Sequence, residues 1–183
     1  MLKNSSETYG AFSKLMHWLM ALLIVILLAV GFYIAGFDKE NLAPSQIQMI
    51  GMHKAFGALA MLLLVVRLGW LRLSPAPQLP AVFTPKEKRL VSGVKGMLYL
   101  LMFLAPLSGY VMSTASGRPT SFFGLFNLPM LIGENKALAG FAHEAHEILA
   151  FLMIAFIVVH MAGAIKHRLK DRNGPSDILA RML

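Results

Sequence analysis

Long apolar runs alternate with short polar breaks along the chain, and four runs are long enough to cross a bilayer. They fall at about residues 16–36, 49–73, 91–113 and 143–165, each near or above the roughly 20 residues that a spanning helix needs. The breaks carry the turn chemistry. Asp38, Lys39 and Glu40 close the first run, and the turn Asn41 to Ser45 contains Pro44. Ser74 to Pro80 is rich in proline, and Pro85 precedes Lys86-Glu87-Lys88-Arg89. Proline removes a donor and fixes φ, so this whole stretch reads as an extended connector outside any span. Pro106 and Gly109 lie inside the third run, where neighbouring helices can satisfy the freed backbone groups. The longest loop, residues 115–140, mixes turn residues with aromatics suited to a membrane interface. Asn173-Gly174-Pro175 signals a helix stop in the tail. The expected architecture is an all-α membrane protein, a four-transmembrane-helix bundle, with residues 1–183 as a single domain.

Composition supports that reading. Of 183 residues, 57% are hydrophobic and 14% charged, too little polarity for a soluble domain of this size. The first apolar run exceeds a signal-peptide core of about 7–15 residues, so it reads as a retained anchor. The net charge of +8 comes without an aromatic-basic groove, which excludes nucleic acid as a partner and points to topology. Thirteen Lys and Arg flank one side of the spans; only Lys39, Lys54, Arg118 and Lys136 flank the other. That second side also carries Asp38, Glu40, Glu134, Glu144 and Glu147, for a net of minus one. The excess places both termini in the cytoplasm. With no cysteine, disulfides, thiolate ligands and iron–sulfur clusters on this chain are excluded.

The chemistry lies in the histidines. His146 and His160 are 14 residues apart on the last span, which at about 100° per residue puts both rings on one face, roughly 21 Å apart. His17 opens the first span on the cytoplasmic side and His53 opens the second on the outer side. Four histidines thus sort by depth into two pairs, His53 with His146 and His17 with His160. Paired imidazoles facing each other across a bundle suit haem iron, which takes two axial nitrogens. A lone intramembrane histidine is otherwise polar glue or part of a proton relay. A non-haem metal site fits poorly, because in His143-Glu144-Ala145-His146 the second histidine stands at i+3, not i+4.

His143 is out of register and interfacial. His167 is in register with His160 but lies among basic residues; it is either a solvated or lipid-facing tail residue or a proton donor to a quinone. Gly57, four residues after His53, would let a ring plane approach, and Gly31 and Gly109 could do the same from their own spans. Arg67 and Arg118 are candidates for the propionates of an inner and an outer haem; the alternatives are snorkelling for Arg67 and an ordinary loop role for Arg118. The thirteen methionines form no ordered array and read as lipid-facing or core filler.

The chain resembles the bacterial cytochrome b561 family over nearly its whole length. The likeness rests on Tyr9-Gly10 with Met16-His17-Trp18-Leu19, His53-Lys54-Ala55-Phe56-Gly57, and Val66-Arg67-Leu68-Gly69-Trp70. It extends through Ser108-Gly109-Tyr110, residues 113–119, Phe123-Gly124-Leu125, His146-Glu147, and His160 with Lys166-His167. The resemblance implies two haem b groups on His17, His53, His146 and His160, with ubiquinone as substrate. It also implies electron transfer across the bacterial inner membrane between a periplasmic donor and the quinone pool. Superoxide oxidation coupled to ubiquinone reduction is one such activity; a periplasmic redox partner is another donor. Related cytochrome subunits of hydrogenases and formate dehydrogenases share such histidines but usually have additional length or spans, which favours a stand-alone cytochrome here. The alternatives are a membrane-anchor cytochrome b subunit serving a partner protein, and a histidine-based proton or metal transporter.

Overall fold

A computed structural model describes all residues from Met1 to Leu183. Four helices dominate: α1 Ala11–Ala35, α2 Pro44–Leu73, α3 Pro85–Ala115 and α4 Lys136–Lys170. All four are long and apolar enough to span a membrane. Most large apolar side chains on their outer faces are exposed, as lipid-facing residues are. A two-stranded antiparallel hairpin, β1 Ser121–Phe122 and β2 Phe126–Asn127, sits in the α3–α4 loop. The apolar-run pattern does not predict it, because its strands are two residues long.

The helices begin earlier than the apolar runs, and two prolines show why. Pro44 and Pro85 stand at the first helical positions of α2 and α3, where a missing N–H costs nothing and φ is already suitable. This corrects the expectation that Pro44 lies in a turn and that Pro85 to Arg89 belongs to an extended connector. Thr84 caps α3: Glu87 Oε2 accepts from Thr84 N at 2.8 Å, and Thr84 Oγ1 accepts from Glu87 N at 3.3 Å. That is a reciprocal capping box preceding the membrane-buried part of the helix. On α2, Gln46 Oε1 accepts from Ala43 N at 2.9 Å; the alanine side chain has no oxygen to complete a capping box, and Gln46 N donates to the Ala43 carbonyl at 2.9 Å instead. Asn135 caps α4 through Leu138 N at 3.0 Å.

α3 packs most closely on α4, while α2 contacts α1 and α3. α1 faces α4 with few close backbone approaches. Met16, Met20 and Leu64 form the buried cluster between α1 and α2, and Tyr99 and Met102 of α3 pack on it. The termini meet at one end of the bundle. Asn4 N donates to Ser74 Oγ at 2.9 Å, and Arg181 Nη1 donates to Gln78 O at 2.8 Å. Trp18 Nε1 donates to Met182 O at 3.0 Å. N-terminal lead, α2–α3 loop and C-terminal tail together cap that end.

Candidate haem-binding site and its relatives

The structure brings the four histidines together in the two pairs that depth sorting predicts. His17 of α1 and His160 of α4 have ring centroids 6.2 Å apart. His53 of α2 and His146 of α4 have theirs 6.4 Å apart. Iron clamped between two imidazoles needs about 6.3 Å, from two metal–nitrogen bonds of about 2 Å and two half-rings. Neither pair is joined by a hydrogen bond, so the ring nitrogens are not engaged with each other.

His146 is held as a metal-binding imidazole is usually held. Its Nδ1 lies 2.8 Å from Ala105 O and 3.0 Å from Ser108 Oγ. Donation from Nδ1 to the carbonyl fixes the tautomer that leaves Nε2 as the free ligand atom. The carbonyl immediately precedes Pro106, the proline inside α3. His53 Nδ1 is buried without a partner.

Two glycines lie against the rings of the outer pair. A Cβ at Gly109 would come within 3.1 Å of His146 Cε1, and one at Gly31 within 3.2 Å of His53 Cε1. Their space is taken by imidazole, which corrects the expectation that they admit a macrocycle plane. At Gly57 a Cβ would meet nothing within 4 Å. An apolar cavity of about 200 Å³ also opens beside His53, lined by Leu27, Val30, Met52 and Phe56 among others. The paired rings and the fixed tautomer fit a bis-histidine haem.

The remaining candidates divide. Arg67 turns inward, half-buried, with Nε donating to Tyr99 Oη at 3.0 Å, and does not snorkel. Arg118 is exposed, and its guanidinium makes no hydrogen bond. Lys54 is committed: its Nζ donates to Ser113 Oγ at 2.8 Å and Pro119 O at 2.9 Å, tying α2 to the end of α3. His143 is exposed. His167 is buried at 7% exposure and stacks on Phe83 at 4.4 Å, 24° from parallel. That removes the reading of His167 as a solvated or lipid-facing residue. Phe83 lies in the α2–α3 loop, which has no periodicity from which to read such a contact. Sequence reading also missed Lys95, Tyr9 and Tyr99, which line a cavity with Arg67. The available signal was Lys95 at four residues before Tyr99, on one face of α3.

Comparison with known proteins agrees with this geometry. The family model described as prokaryotic cytochrome b561 matches residues 8–183. Cytochrome b561 homolog 2 of Escherichia coli (strain K12) is 34% identical over 184 residues, covering 98% of this chain and 93% of that protein. The family implies haem b as cofactor and electron transfer as activity. This four-helix, multi-pass membrane chain belongs to the prokaryotic cytochrome b561 family.

Proposed function

We propose that the chain holds two haem b groups and passes electrons across the bacterial inner membrane to ubiquinone. The observation that carries this is the pair of histidine couples, at 6.2 and 6.4 Å, at opposite ends of one bundle. Bound haem supplies the one-electron ferric–ferrous couple. The residues do the rest. His53 and His146 hold the outer group, and His17 and His160 hold the inner one. Ala105 O fixes the tautomer of His146, and the surrounding apolar side chains exclude water. The basic excess at the terminal end supports the reading that this end faces the cytoplasm.

The proposed donor is superoxide. Two superoxide anions each give up one electron and leave as O₂, while one ubiquinone takes two electrons and two protons to become ubiquinol. Arg118, exposed and without a counter-ion, offers the outer end a local positive group on a face that nets minus one with Arg118 counted. His167, on the same face of α4 as His160 and two turns beyond it, is the proposed proton donor to the quinone. Its burial against Phe83 keeps the imidazole out of bulk water, and its Nδ1 is unpartnered. Mixing the oxidised protein with superoxide in a stopped-flow spectrometer tests the donor. Prompt haem reduction supports it; absence of reduction removes superoxide and leaves a periplasmic redox protein as donor.

A further inference from the structure

At the N-terminal end of α1, two cations from different helices line one cavity of about 120 Å³. Arg67 enters from α2 and Lys95 from α3, with Tyr99 one turn along from Lys95 and Tyr9 from the N-terminal lead. Arg67 uses one N–H on Tyr99 and stands 5.8 Å from the centroid of that ring. Its Nη groups and the Lys95 ammonium make no hydrogen bond to protein, and neither side chain has an ion pair. No carboxylate lines the cavity. Both cations are half-buried. Half-burying an ammonium and a guanidinium on the walls of one cavity without a carboxylate is costly, and an anion bound there would offset it. Met16, the sequence neighbour of His17, lines the same cavity, which sets it at the level of the inner pair. Burial first, and then Tyr99, hold the Tyr9 phenol above its usual range, so it stays a neutral donor at physiological pH.

Resting on the di-haem reading above, we infer that Arg67 and Lys95 form a two-cation clamp for both propionates of the inner haem, with the Tyr9 hydroxyl as a third donor. Haem b carries two carboxylates on one edge and so takes two cations. A quinone is uncharged and needs none. Lys95 is thereby more than a topological charge: it is a positioning residue that sets the electrostatics of the inner site. A cation held at the propionates favours the state with the extra electron, so it raises the reduction potential of that haem alone.

The test is redox titration of the full chain in nanodiscs of neutral phosphatidylcholine, comparing wild type with Lys95→Met, Lys95→Arg and Tyr9→Phe. Resonance Raman of the propionate bending bands is recorded alongside. The inner haem is identified as the one missing in His160→Ala. Lys95→Met is expected to lower the inner midpoint and shift the propionate bands, leaving the outer midpoint in place. Lys95→Arg restores most of both, and Tyr9→Phe shifts the bands in the same sense by less. Loss of the inner haem in Lys95→Met with its retention in Lys95→Arg also supports the clamp. A two-haem wild type whose inner midpoint and bands ignore Lys95→Met overturns it. So does a shift that appears only with anionic phosphatidylglycerol present, which assigns the cations to a lipid headgroup. A wild type without haem instead defeats the di-haem reading itself.

Discussion

Gly109 lies against the imidazole of His146, where an added Cβ would stand 3.1 Å from Cε1 and 3.3 Å from Nδ1. That contact is tighter than ordinary van der Waals separation, so Gly109→Ala must push the ring by a few tenths of an ångström. The push falls on the Nδ1 bonds to Ala105 O and Ser108 Oγ that orient the ring. Overpacking of this kind costs about 1–3 kcal/mol. Gly109→Ala is therefore expected to lower haem content at the outer pair while leaving the inner pair loaded, as read from haem per chain. Gly57→Ala meets no protein atom within 4 Å. Any haem lost in that variant reports contact with the macrocycle itself.

Removing one ring of a pair removes one of two axial ligands. His53→Ala and His146→Ala should each abolish the outer haem, and His17→Ala and His160→Ala the inner one. Haem per chain then falls by about half in every single variant. Absorbance spectra should show the same surviving component within each pair of variants and different ones between pairs. Four different partial losses, with no such grouping, would argue against the pairing.

His167 makes a separate prediction. His167→Phe keeps an aromatic ring against Phe83 and removes the proton-carrying nitrogens. Haem content should stay unchanged while quinone reduction slows by about 10²-fold, the low end of what a positioned general acid contributes. Single-turnover oxidation of the prereduced haems by added ubiquinone measures this step apart from the donor reaction. An unaltered rate would take His167 out of the proton path.

The tail that covers this end should loosen in acid. Asp177 is buried, which alone would raise its pKa, but N–H donors from Asn173 and Ala180 and the Arg168 guanidinium outweigh that and hold the carboxyl below its usual range. The bonds measure 2.9, 3.0 and 2.8 Å. A depressed folded pKa means that the contribution is complete above the ordinary aspartate value of about 4 and is lost as pH falls through the lower folded value. Asp177→Asn keeps the shape and discards the charge. Backbone hydrogen exchange over residues 171–183 should be faster in that variant at neutral pH, and the wild type should match it only in strong acid.

Much of this site follows from simple repeats in the sequence. Long apolar runs specify the helices, and their alternation across the bilayer assigns each histidine a depth. His17 and His53, more than thirty residues apart, reach opposite ends of the bundle for that reason alone. What was not legible depends on irregular chain. Pro44 and Pro85 act as helix starters only because of the capping residues around them, and proline content alone suggested loops. His167 is buried by Phe83, which lies in a loop, and the tail that folds over the same end bonds Trp18 through Met182. Neither contact has a period that could announce it. Lys95 looked like one more topological charge because its partner Arg67 comes from another helix, and helix-to-helix register is a property of packing, not of local sequence.

The most direct test of the whole account is the haem-to-chain ratio of the purified protein, from pyridine haemochrome absorbance against amino-acid analysis. Two haem b per chain is the predicted result. A ratio of one, or no haem at all, in a correctly folded four-helix preparation would contradict the claim that both histidine pairs hold iron.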